Sequence, residues 1–180
     1  MRSIITASGV EIEEVINENE DSISQLKKHL TGESESSPMF GWQDFMYPLE
    51  VLEDKLSKVW SPVSHLNSVC NSDDMRVAYD KALALLTEYS TQLGQDQTLF
   101  ELTDKLYKNR KQLNLSSTKQ HILKDSLVGF KLSGLYLSDH DKKEYAAIQS
   151  RLAELSSQFE QNLMDATMAW SKHFESAAPL

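Results

Sequence analysis

Residues 45–66 read FMYPLEVLEDKLSKVWSPVSHL. Within them Phe45, Leu49, Leu52, Leu56, Val59, Val63 and Leu66 step by 4, 3, 4, 3, 4 and 3. Such steps return to one face of an α-helix, whereas a half-buried strand repeats every second residue. Trp42, Met46 and Trp60 widen the stripe. Pro48 and Pro62 interrupt it, because proline lacks a backbone donor and crowds the preceding turn. Pro48 is tolerable near a helix start. Pro62 is expected to kink the helix or open a new segment.

The same periodicity extends in both directions. Upstream, Val10, Val15, Ile16, Ile23, Leu26 and Leu30 mark a first helix over 9–30, with Lys27, Lys28 and His29 suited to its C-terminal dipole. Residues 1–8 are expected to be disordered, and 31–41 (TGESESSPMFG) to form a loop. Downstream, Asn71 or Ser72 can cap a third helix with Asp73 and Asp74 in its first turn. Its stripe is Met75, Tyr79, Ala82, Leu86, Tyr89 and Leu93, and Gly94 marks a break. Leu99, Leu102 and Leu106 carry a short helix to about Arg110, followed by a turn around Asn114. Ser117 and Gln120 have capping-box spacing ahead of Leu123, Leu127 and Phe130, and Gly134 can end that helix. Ser138 with Asp141 opens the last helix, whose stripe is Tyr145, Ile148, Leu152, Leu155, Phe159 and Leu163. Running to about Phe174, it would be about 50 Å long at ~1.5 Å per residue. A helix of that length braces something larger than itself.

No run alternates as a strand does, and 6 Gly and 4 Pro in 180 residues leave little turn punctuation. The expected fold is all-α: an antiparallel bundle of five or six long, partly kinked helices in a single domain over residues 1–180. Stripes at helical spacing are expected to be core.

Composition narrows the function. Hydrophobic residues at 40% and charged residues at 25% suit a globular chain. A net charge of −9 repels nucleic acid and anionic membranes alike. The densest basic run, Lys105, Lys108, Arg110 and Lys111, reads as cations at a helix C-terminus rather than an anion site. Cys70, the single cysteine, has no partner for an intrachain disulfide and no nucleophile motif around it, with His65 nearest in sequence. The N-terminal apolar run is too short for a signal peptide, and no stretch approaches a membrane span, so a cytoplasmic location is expected.

A helix-borne zinc site needs two His four residues apart with a Glu beside the first. His29, His65, His121, His140 and His173 offer no such pair. A nucleophile elbow and a phosphate loop are also missing. Glu13 with Glu14, and Asp73 with Asp74, read as dipole partners at helix starts rather than an acid–base pair. No catalytic, cofactor-binding or metal-ligating residue is therefore assigned. Two runs resist a purely local account: 60–69, where Pro, His and Asn follow Trp60 inside a stripe, and 165–170, where small residues precede Trp170, which needs a large apolar partner.

These runs carry a resemblance. SPVSHLNSV (61–69) and LMDATMAW (163–170) are similar to the corresponding stretches of the thimet oligopeptidase/oligopeptidase A family. LLTEYSTQLGQ (85–95), GFKLSGLYL (129–137) and RLAELSSQFEQNLMDAT (151–167) follow in the expected order. The resemblance covers about 42–170. It is looser over 9–30, and residues 1–8 depart from the family's usual start, as in a truncated or altered N-terminus. It implies the N-terminal helical lobe of a zinc endopeptidase that admits short peptides to a deep channel. The zinc-bearing His-Glu-x-x-His helix of such enzymes lies downstream of the matched region. The resemblance thus implies a channel wall that is non-catalytic alone, whose partners are the C-terminal catalytic lobe and, for the whole enzyme, short peptides. Cut off from that lobe, it would expose large apolar faces. The rival reading is a free-standing helical module that binds peptides or a protein.

Overall fold

A computed structural model describes residues 2–32, 40–70 and 72–173, with side chains from residue 10 onward. All regular structure among the described residues is helical: α1 (Arg2–Thr31), α2 (Met46–Val69), α3 (Asp73–Gly94), α4 (Gln97–Lys108), α5 (Ser117–Leu132) and α6 (Asp139–Met168). α3 is central. α1 and α2 pack on it from one side, α6 lies along another, and α4 pairs with α5 beside α1.

The core gathers Ile12, Val15, Ile16 and Ile23 of α1 around Phe45, Met46, Leu56 and Val63, with Ala82 and Tyr89 of α3 and Leu99, Leu102 and Leu106 of α4. Apart from Ile12, which the α1 stripe passed over while including the exposed Val10, these are the residues of the sequence stripes. Phe40 meets Phe45 edge to face at 5.8 Å between centroids. Asn19 is fully buried among them, and its Nδ2 donates to the Leu52 carbonyl at 3.0 Å, tying α1 to α2. Burial also pushes the Tyr89 hydroxyl pKa upward, partly offset by its interaction with Asn19.

Several boundaries differ from the sequence reading. α1 begins at Arg2, ahead of the start expected at residue 9. Extending a formed helix costs far less than nucleating one, and Gly9 adds only about 1 kcal/mol. Met1 and 33–39, most of the expected loop, lie outside the described residues. α2 passes through Pro62 without ending. Pro62 and Lys58, whose carbonyl the missing N–H would have bonded, both face solvent. The flanking contacts hold the helix: Trp60 stacks on Tyr79 at 5.0 Å, Val63 and Asn67 are buried, and Ser64 hydrogen-bonds the Tyr79 hydroxyl. The cap of α5 is Ser116, which accepts from the Lys119 N–H, while Gln120 donates to the Leu115 carbonyl; the capping box expected from Ser117 and Gln120 does not form. Ser72 caps α3 and Ser138 caps α6 as expected. α6 stops at Met168, short of Phe174, which lies outside the described residues.

Two glycines are required where they stand. Gly134 follows α5 at φ 84°, a left-handed geometry that side chains disfavour. Gly94 ends α3 where a Cβ would come within 2.6 Å of Ser133, so the ends of α3 and α5 touch.

The largest difference concerns α6. Its stripe is not core: Ile148, Leu152, Leu155, Phe159 and Leu163 are all exposed, as is Trp170. The side turned to α3 is small and polar, with Ser157 its one buried residue. Ser157 Oγ donates to Asp80 at 2.6 Å, and Gln161 Nε2 reaches both Asp80 oxygens at 3.3 Å. Further along, Arg76 forks onto Asp165 at 3.0 and 2.5 Å. The order of these pairs makes α3 and α6 antiparallel.

Two outcomes are expected. Asn19→Ala removes a buried hydrogen bond and leaves a cavity; it should lower stability by about 1–3 kcal/mol, read as a lower urea midpoint at unchanged m. The Asp165 pKa is lowered chiefly by its hydrogen bond to Arg76. A depressed carboxylate stabilises above its unfolded pKa of about 4 and loses that contribution as pH falls through the folded value. The α3–α6 seam should therefore loosen only in acid, and Asp165→Asn should flatten this dependence in amide protection along α6.

Candidate functional site

The five histidines stand apart. His29 is on α1, His65 on α2, His121 on α5, His140 on α6, and His173 follows α6; all are exposed. Among the described residues, one trio could offer three ligand atoms to a cation: His140, Asp141 and Glu144, within 4.8 Å of one another and all exposed. It occupies the first two turns of α6, where Asp141 already exchanges hydrogen bonds with the capping Ser138. The zinc that the resemblance implies does not fit it, because that site needs two histidines on one helix face and an adjacent base.

The other candidates resolve locally. Asp73 and Asp74 lie in the first turn of α3, as dipole partners should. Glu13 and Glu14 do not occupy a helix start, since α1 begins at Arg2; they sit exposed in its interior. Exposed Cys70 closes α2 through its backbone N–H on Leu66. Lys105 lies over the Phe40 ring, Lys108 pairs with Asp104, and Arg110 stacks on Tyr107 while donating to its carbonyl. These cations serve α4 and its exit. The Tyr79 pKa is raised by burial and that of Arg76 by its bond to Asp165, so both shifts belong to packing contacts.

Two surface features remain. One is a groove of about 1180 Å³ between α1, α3 and α6. Ala78, Ala84, Ala146 and Ala147 keep it open, and Lys81 and Glu88 place both charge signs along it. It can hold a chain segment by shape, but it contains no nucleophile–base pair. The other is the outward stripe of α6, in which Phe159 is 68% exposed. Sequence reading found this stripe but not the polar seam behind it. The signal was available: Ala146, Gln149, Ala153, Ser157, Gln161 and Met164 form a second stripe of partly or fully buried residues at helical spacing. No described helix is long and apolar enough to cross a membrane.

Residues 12–142 match the family described as Neurolysin/Thimet oligopeptidase, N-terminal domain. Oligopeptidase A of Haemophilus influenzae is 40% identical over 169 residues, covering 94% of this chain and 24% of that protein. Oligopeptidase A of Salmonella typhimurium is 32% identical over 96% of the chain and 25% of its own length. Oligopeptidase A of Escherichia coli is 38% identical over 74% of the chain and 20% of its own length. The chain thus spans about a quarter of these relatives or less, and the His-Glu-x-x-His pattern that the resemblance implies for the family does not occur in its sequence. A helical chain with this match belongs to the thimet oligopeptidase/oligopeptidase A family and carries its N-terminal domain.

Proposed function

We propose that this domain is the non-catalytic helical lobe of a zinc-dependent oligopeptidase that cleaves short peptides. It forms part of the wall of the peptide channel and works with a catalytic lobe that holds the zinc. One observation carries the reading: α6, a 30-residue helix, turns an apolar stripe to solvent and a polar side to its own domain. Exposing such a face costs an isolated protein solubility and suits one that packs against more protein. Water activation at neutral pH needs an open-coordinated metal with a base nearby, and the described residues supply no such pair. The net charge of −9 argues against nucleic acid as a partner and accords with a cytoplasmic peptidase.

The groove between α1, α3 and α6 favours a second reading, in which the domain alone binds a peptide or a protein. Activity separates the two. The purified chain with added zinc should not hydrolyse short fluorogenic peptides. Co-expression with the rest of Haemophilus influenzae Oligopeptidase A, beyond the aligned stretch, should yield zinc-dependent cleavage. Turnover by the chain alone, or none after co-expression, contradicts the proposal.

A further inference from the structure

We infer that a smaller cavity between α2, α3 and α5 is a binding site for an amphiphilic amine, a molecule with an apolar body, an ammonium head and no carboxylate. The inference goes beyond the lobe reading and does not require it. The cavity encloses about 660 Å³, room for a small organic molecule, and runs along α3 from Leu83 to Gly94. Leu49, Leu52, Leu86 and Leu93 line it, each only partly buried against the core. Two aromatic side chains mark its ends. Trp60 stands near Leu83, held by its stack on Tyr79 one turn before. Phe130 stands near Gly94, which abuts Ser133, and meets Phe100 edge to face at 5.9 Å.

Charge selects the occupant. Among the described residues, the lining carries Glu50 and Glu53 and no lysine, arginine or histidine. Met46, Glu50, Glu53 and Trp60 share one face of α2, at steps of 4, 3 and 7, so the carboxylates border the apolar wall. The lysines of α2 are engaged with other partners, Lys55 with Glu18 and Lys58 with Asp54. Tyr89, also in the lining, has its pKa raised first by burial and further by Glu20 and Glu53, as a negative field would do. An ammonium is drawn to such a place by the carboxylates and by ring faces, while apolar burial holds the body. A fatty acid or a phosphate ester has a similar apolar part and the wrong sign. The larger groove between α1, α3 and α6 makes no such choice, since Lys81, Lys142 and Lys143 line it together with Glu13, Asp74 and Glu88.

The test titrates the chain with octylammonium, octanol and octanoate, three probes with one tail and different heads, and follows amide and indole shifts by NMR. Octylammonium should move the Trp60 indole and the Leu86 amide, and should bind at least about tenfold tighter than octanoate, with octanol between them. Glu50→Gln with Glu53→Gln, at exposed positions, should bring the three affinities within about twofold and leave octanol binding unchanged. Added salt should narrow the wild-type difference. Ser90→Trp, at the exposed rim, should block all three probes with circular dichroism unchanged. Equal binding of the three probes by wild type, or binding of none, overturns the inference. So does octylammonium binding that survives Ser90→Trp, because the site then lies elsewhere. A dimer in sedimentation that Ser90→Trp abolishes would make a second copy the occupant. Loss of octylammonium binding on co-expression with the remainder of Haemophilus influenzae Oligopeptidase A would show that more of the enzyme fills the cavity. Either result also overturns the inference, and neither touches the lobe reading.

Discussion

Asp80 fixes the direction in which α6 faces. Its exposed carboxylate stands where another helix crosses, and charge-assisted hydrogen bonds to an ionised acceptor are stronger than neutral ones. Ser157 and Gln161 supply the donors, and they lie on the polar side of α6. Arg76 on Asp165 repeats the arrangement near the other end of the crossing. Together they hold a helix with its apolar side outward, against the usual preference. Hydrophobic burial would reverse it, at roughly 1.5–3 kcal/mol per large side chain fully buried. The polar contacts and the small residues at the crossing make the reversed packing poor, because bulky side chains would meet a carboxylate instead of a hydrocarbon surface.

The rest of the domain follows common packing rules, and its exceptions are supported locally. Pro62 leaves the Lys58 carbonyl without its helical donor. The loss falls on the exposed side of α2, where solvent can serve as the donor, while Trp60 on Tyr79 and buried Val63 grip the dry side. The stretch that looked least helical in sequence is thus one of the better anchored. Asn19 is a buried polar group that joins α1 to α2 through a backbone carbonyl, so helix register in the core is set by a directional bond as well as by shape.

How much of this was legible follows from what periodicity can encode. The stripes of α1 to α4 named most of the core residues, because their cover lies within the chain, though they passed over Ile12 and took in the exposed Val10 and Leu66. The α6 stripe has the same spacing and was read the same way, yet it lies in water. Spacing identifies a face, and nothing in it says whose surface completes that face. The exposed Trp170, for which a large apolar partner was expected, shows the same limit. The seam was missed for a different reason. Asp80, Ser157 and Gln161 are ordinary residues singly, and their pairing spans about 80 positions of sequence, beyond the reach of local spacing rules. Ser116 displaced Ser117 as a cap because adjacent serines offer the same oxygen and only backbone geometry chooses between them.

The division between scaffold and chemistry also has a physical basis. A metal site of the expected kind is compact, with ligands fixed on one helix and supported by neighbours, and it must stay open to substrate. The helices here are committed otherwise: their inner faces to an apolar core, the α3–α6 crossing to a polar seam, and their capping carboxylates to helix ends. The five histidines sit on separate elements, each exposed. What such a bundle can offer an enzyme is rigid shape. It supplies a groove kept open by alanines and a long helix held at a set rotation by Asp80, with its apolar stripe turned outward.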